Sequence, residues 1–308
     1  MKIVALAGGT GAAKFLRGLC RITDPAALTV IGNTGDDLEL WGLSISPDLD
    51  TVMYTLAGVV DESKGWGLSG DTFQCRDAIG RLGAATFFGL GDRDLATHLV
   101  RTEQLRSGLS LADVTEGLCR RLGVKSRILP MSNDRVRTQV ETPAGWLSFQ
   151  EFFVRERCAP DIVNVVYDGA DRARPAPGVL ELIGEARMIL ICPSNPVSSI
   201  GPVLAVPGIR QALSTTAARV VAVSPIVARA PVSGPAGKMM AAKGFEVSAL
   251  GVARIYEGLL DRLVVDQRDA ALAPSVEALG VEVLVTDTIM DGAKKEMAVA
   301  RAVLERDK

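Results

Sequence analysis

The hydrophobic pattern of the chain is a series of short β-branched runs, each closing on small or polar residues. They are KIVALAGGTG, LTVIGNTGDD, IVNVVYDGAD, MILICPSNP, VVAVSPI, RLVVDQRD and VEVLVTDT. Runs that stay apolar at consecutive positions, instead of alternating, predict strands buried on both faces and hence a parallel sheet. Segments of helical spacing lie between them. AAKFLRGLCRI follows the first run, and GAKKEMAVARAVLERD, rich in good helix formers, closes the chain. The expected class is α/β, a parallel sheet covered by helices in three layers, with residues 1–308 as one domain.

The rhythm changes in the middle of the chain. From Asp92 to Arg127 the spacing is helical, with a break at RSGLSLADV, where Ser110 is placed to cap a helix and Asp113 falls in its first turn. MSNDRVRTQVETPAGWLSFQEFFVRERC then alternates and turns like short antiparallel strands. Residues near 92–160 are therefore expected to form an insertion, mainly helical, between two portions of the core.

Composition narrows the field. The 308 residues are 48% hydrophobic and 23% charged, ordinary for a packed globular chain. A formal charge of -2 and 5% aromatics offer neither a basic footprint nor stacking platforms for nucleic acid. Cys20, Cys75, Cys119, Cys158 and Cys192 are scattered without a C-x-x-C, which predicts buried free thiols in a reducing cytoplasm. No apolar run approaches a membrane span. The single histidine, His98, sits in DLATHLVR, a helix of mixed faces, and is expected to be structural.

Ligands of open α/β sheets bind beyond the carboxyl ends of the strands, and the polar clusters of this chain follow predicted strands. In GGTGAAKF, Gly9, Thr10 and Gly11 can form a tight turn or a backbone cradle for phosphate at a helix start. Lys14 stands where the third glycine of a dinucleotide fingerprint would be, and its charge faces either that turn or solvent. Ser194 and Asn195, in CPSNPVSSIGP, supply neutral groups for a base, ribose or phosphate, or shape a rigid connector. The stretch NTGDDLELWGLSISPDLDT gathers Asn33, Asp36, Asp37, Asp48 and Asp50. It reads as a solvated acidic loop, or as a site where magnesium and a substrate diphosphate offset buried carboxylates. One aspartate can also orient or deprotonate a hydroxyl. Asp71, Asp92 and Asp94, in two glycine-acid loops, form a second pocket wall or merely cap turns.

Taken in order, ALAGGTGAAKFLRGL, NTGDD, SPDLDTVMYTLAG, GWGLSGDTF, GLGDRDLATHLVRTE, CPSNPVSSIGPVLAVPGIR and GPAGKMM resemble the 2-phospho-L-lactate transferase family, over Met1 to about Asp269. The resemblance implies a Rossmann-like fold with a mainly helical insertion, often dimeric. It implies a magnesium-dependent transfer late in the synthesis of coenzyme F-420. The donor would be GDP-linked phospholactate, or the phosphoenolpyruvate or phosphoglycerate equivalent; the acceptor is the terminal ribityl hydroxyl of the deazaflavin Fo, and GMP is released. It further implies that Asp50 is the key acid near the Fo hydroxyl and the metal, with Asp36 or Asp37 as partner. The glycine turn and the PSNP loop would hold the guanosine diphosphate.

Two departures stand out. Trp41 precedes Gly42 where many members carry histidine, and SPIVARAPVSGPAG has Arg229 and Ser233 in a loop that commonly holds glycines and lysine. Two other classes compete. A non-catalytic nucleotide-binding regulator related to a gluconeogenesis factor would share the glycine turn but not SPDLDT. A nicotinamide-dependent oxidoreductase would need the missing third glycine and a single acid closing the second strand.

Overall fold

The computed structural model describes residues 1–305. Its strands, in chain order, begin with β1 (Ile3–Ala7) and β2 (Leu28–Gly32), then a hairpin of β3 (Leu38–Leu40) and β4 (Leu43–Ile45). β5 (Arg127–Pro130) follows, then β6 (Arg137–Thr142), β7 (Gly145–Ser148) and β8 (Asn164–Asp168). β9 (Met188–Ile191), β10 (Arg219–Val223), a short hairpin of β11 (Ile226–Val227) and β12 (Ala230–Pro231), β13 (Arg262–Asp266) and β14 (Glu282–Thr286) complete the set. Seven of them form one parallel sheet in the order β14-β13-β10-β9-β1-β2-β5.

Alternate residues of each strand feed opposite cores. Ile3, Ala5 and Ala7 of β1 face Phe15 and Leu16 of α1 (Gly9–Cys20), together with Val299 and Val303 of the closing helix Ala293–Leu304. Val4 and Leu6 face the other layer, which includes Val140 and Val165 of the small antiparallel sheet β7-β6-β8. Each fully buried Phe or Leu contributes about 1.5–3 kcal/mol, so both faces reward the continuous apolar runs. At Gly18 a β-carbon would lie 2.4 Å from the Glu296 carbonyl oxygen, so α1 and the closing helix approach as closely as backbones allow.

The order of strands creates the site. The chain leaves β1 towards β2 and β5 on one side, and later returns through β9 towards β10, β13 and β14 on the other. The crevice beyond the carboxyl ends of β1 and β9 is thus the topological switch point.

Two sequence expectations need correction. Residues 92–160 are not one insertion, because Arg127–Pro130 inside that span pairs in parallel with β2 as a strand of the main sheet. The segments after β4 through β8, other than β5, fall into two pieces. One is helical, with α2 (Pro47–Leu56), α3 (Gln74–Arg81), α4 (Asp94–Arg106) and α5 (Leu111–Arg121). The other is the antiparallel sheet β6–β8. NVVYD is accordingly an antiparallel strand and not part of the parallel sheet. The Ser110 cap is as expected: its side chain accepts from Asp113 N, and Asp113 reaches back in a capping box. All five cysteines are free thiols, but only Cys119 and Cys192 are buried and Cys75 is exposed. No helix among the described residues is long and apolar enough to cross a membrane.

Candidate active site

The loops after β1, β2 and β9 meet at the switch point. Ser194 Oγ donates to the Gly8 carbonyl at 2.8 Å and accepts from Gly8 N at 3.2 Å, which staples the first loop to the third. Glycines permit the closeness: a β-carbon on Gly8 would meet Asp48 Oδ2 at 2.5 Å, and one on Gly11 would meet the Pro193 carbonyl at 2.4 Å. Gly9 also has φ of +74°. Asn33, fully buried, donates from Nδ2 to Asp48 Oδ2 at 2.8 Å and to the Ser198 carbonyl at 3.2 Å, so the second loop joins the other two.

The acids enter from α2. Pro47 opens this helix, and Asp48 and Asp50 occupy its first turn, where the helix dipole favours negative charge. Asp48 turns to the glycine loop and accepts Gly9 N at 2.8 Å. Burial pushes its carboxyl up to about 6, although Asn33 and the Gly9 amide offset part of that. Asp36 is raised well above the usual range by burial and then by the charge of Asp48. Asp37 is pushed up to about 7 by burial, against the nearby charge of Arg137 and a 2.8 Å hydrogen bond from Ser46 Oγ. Thr34 Oγ1, Asp36 Oδ1, Asp37 Oδ1 and Thr138 Oγ1 are all buried without a hydrogen-bond partner. Such a group of orphaned oxygens is what a cation and its ligand oxygens would satisfy. Among the described residues no set of three or more His, Cys, Asp or Glu side chains is arranged to hold a metal by itself.

Asp50 points elsewhere. Arg101 donates to both of its oxygens, Nη1 at 2.9 Å and Nη2 to the other, in a fully buried pair. His98 Nδ1 accepts from Arg101 Nη1 at 3.2 Å, and His98 Nε2 lies 3.2 Å from Asp94 Oδ1. Tyr54 donates its hydroxyl to the same Asp94 oxygen at 2.7 Å. Burial alone would raise the Asp94 carboxyl, but the hydrogen bond from His98, with the Tyr54 hydroxyl, leaves it below the usual range. His98 is therefore a buried member of a connected polar network.

The remaining candidates have local partners. Asp92 accepts Gln74 N at 3.1 Å and Cys75 N at 2.9 Å, capping α3, while Asp71 accepts Arg93 N at 2.8 Å and Asp94 N at 2.9 Å, capping α4. Asn195 Oδ1 accepts the amides of Val197 and Ser198, and its Nδ2 donates to Met239 Sδ. Lys14 lies near Asp291, whose carboxyl is lowered first by Lys295 and further by Lys14. Thr10 stays at the first turn of α1 beside Gly65. The structure thus joins Gly9, Asn33, Asp36, Asp37, Asp48 and Ser194, and turns Asp50, Asp92 and Asn195 to other partners.

Sequence reasoning passed over Arg101 and Arg137. Arg101 carried a signal, because Asp94, His98 and Arg101 recur at the four- and three-residue spacing of one helix face. The two departures both occupy tight turns. Trp41 (φ 53°) and Gly42 (φ 73°) link β3 to β4, and the Trp41 indole donates to the Ala85 carbonyl at 2.9 Å. Ala228 (φ 49°) and Arg229 (φ 63°) link β11 to β12, with Arg229 reaching Glu246 at 3.6 Å.

Fold and site together define an α/β protein that gathers acidic oxygens and a glycine turn at the switch point of a parallel sheet, an arrangement suited to an anionic ligand accompanied by a cation. The chain belongs to the 2-phospho-L-lactate transferase CofD family, whose model matches residues 3–303. It is 50% identical over 311 aligned residues to a phosphoenolpyruvate transferase of Streptomyces griseus, covering 99% of this chain and 98% of that one. A 2-phospho-L-lactate transferase of Methanosarcina mazei is 44% identical over 303, covering 98% and 99%. Among solved structures, a UPF0052 family protein of Bacillus halodurans shares the fold, with a TM-score of 0.69 at 20% identity and 98% of each chain covered.

Proposed function

We propose that this transferase moves a phospho-acyl unit from a GDP-linked donor to the terminal ribityl hydroxyl of the deazaflavin Fo and releases GMP, as a step towards coenzyme F-420. The observation that carries the reading is the gathering of Asp36 and Asp37, each with an orphaned oxygen, beside Asp48, which is bonded to the glycine turn. Enolpyruvyl stands first among the three donors, since relatives named phosphoenolpyruvate transferase share 48% and 50% of the aligned residues.

In this reading the first-turn amides of α1 beyond Gly9, which have no intrahelical partner, face donor phosphate. Asn33 and Gly9 N fix Asp48 at that turn. One or two of Asp36, Asp37 and Asp48 would hold magnesium together with donor phosphate and water, and the bound ion would offset the charge of the diphosphate. Arg101 occupies two of the roughly four acceptor positions of the Asp50 carboxylate, so a hydroxyl can still donate to it. Asp50 then orients the acceptor hydroxyl and takes its proton as the new O–P bond forms and the diphosphate bridge to GMP breaks. Positioning and charge suffice for such a transfer, with no covalent enzyme intermediate.

The test is turnover of Fo with the enolpyruvyl, lactyl and glyceryl diphosphoguanosines, scored by GMP and the phosphorylated deazaflavin. Equal amounts of the two products, formed only with magnesium, are expected. No GMP from any donor would sink the reading.

A further inference from the structure

Arg137, at the start of β6, is half-buried, and no carboxylate among the described residues forms an ion pair with it. Its Nη1 donates to two backbone carbonyls, Val136 at 2.7 Å and Thr34 at 3.4 Å. Carbonyls fix the direction of a guanidinium without pairing its charge, and here they leave Nη2 and Nε for another acceptor. The carboxylate opposite in the strand register, Asp168, already pairs with Arg135 at 2.9 Å. Arg137 lies close enough to Asp37 to restrain the rise that burial imposes on that carboxyl. Thr34 Oγ1 and Thr138 Oγ1, on the residues it touches or adjoins, are buried and unpartnered. Two other cations are engaged, Arg101 by Asp50 and Lys64 by Asp61 at 3.0 Å.

We propose that Arg137 binds the carboxylate of the donor's phospho-acid portion, a role that rests on the transferase reading above. Lactyl, enolpyruvyl and glyceryl donors differ in a few atoms but share a carboxylate beside the phosphate ester, and GDP lacks it. A planar guanidinium with two donors left on one edge matches a carboxylate through two parallel N–H···O bonds. Arg137 therefore reads what the three donors have in common, and choice among them lies with other residues. The position on β6 also gives the antiparallel sheet a part in binding: it brings a cation to a site whose other members come from the main sheet and α2.

The experiment is calorimetric titration of GDP and the three diphosphoguanosines, with magnesium, into the wild type, Arg137→Gln and Arg137→Lys, alongside the KM for donor and for Fo. In Arg137→Gln, binding of the donors should weaken about tenfold or more while GDP stays within about twofold. Arg137→Lys should fall between, because a point charge replaces the fork. Donor KM should rise in step and Fo KM should hold. Equal weakening of GDP and donors, or donor binding unchanged in both variants, would overturn the assignment. A wild type that binds donors no better than GDP and forms no product would instead remove the transferase reading, and Arg137's role with it. If Arg137→Gln fails to fold, Arg137→Lys alone decides by the same GDP-to-donor ratio.

Discussion

Asp36 and Asp50 are equally buried, each with 4% of its surface exposed, and the protein treats them in opposite ways. Asp50 has a guanidinium on both oxygens and belongs to a network running through His98 and Asp94 to Tyr54. Asp36 has another carboxylate, Asp48, as its electrostatic neighbour, and one oxygen with no partner. The first arrangement is complete within the chain; the second becomes favourable only when something from outside supplies positive charge. The difference separates an acid that the chain itself fixes in place, Asp50, from one whose charge awaits a ligand, Asp36.

Breaking this contrast should have its largest effect at Asp36→Asn. Transfer is expected to fall by about 10³-fold or more, the range for losing an electrostatic contact to the reacting group, while the thermal midpoint stays level or rises because a buried repulsion is gone. A drop in both would show that Asp36 is structural. Arg101→Met should do the reverse to the fold. It leaves Asp50 buried and unpaired, which costs about 3–5 kcal/mol in denaturant unfolding. Adding Asp50→Leu to Arg101→Met should recover much of that stability but no activity.

A pH series sharpens the same comparison. The folded pKa values of Asp37 and Asp48, about 7 and about 6, lie above their ordinary value of 3.8. The folded state therefore binds more protons than the unfolded one between roughly pH 4 and 7, and stability is lost as pH rises through that window. Metal-free protein should lose about 2–4 kcal/mol between pH 5 and pH 8. Magnesium at about 100 times its Kd should return about 2.7 kcal/mol at pH 8, and much less at pH 5, where the carboxyls hold protons. A flat profile would mean that the acids are compensated after all. The smallest effect belongs to Asp92→Ala: a fall of about 2 °C in thermal midpoint from a lost helix cap, with unchanged KM values.

Much of the fold was legible because strands buried on both faces must be written as unbroken apolar runs, as in IVALA and RLVVD. NVVYD looked alike but alternates in burial, and a five-residue window with three apolar side chains does not reveal that. RILP was too short and too close to a proline to be noticed, which misplaced the insertion. At the site, Asn33, Asp36 and Asp48 were visible because they follow strands or start a helix. Arg101 and Arg137 were not, since their roles arise from tertiary meetings between α4 and α2 and between β6 and the NTGDD turn. For Ser194 and Asn195 the sequence leaves open ligand groups or a rigid connector; their bonds go to Gly8, to their own loop and to Met239.

The exchanged caps of α3 and α4 carry a mechanical consequence. Each helix begins on an acid supplied by the loop before the other, Asp92 for α3 and Asp71 for α4, so neither end can fray without unlatching its neighbour. In amide exchange the stretch from Asp71 to Asp94 should therefore open as a single unit, and not as two independent helix ends. α4 also carries Arg101, which holds Asp50, so the far side of that unit is anchored in the buried network while its start at α3 is exposed.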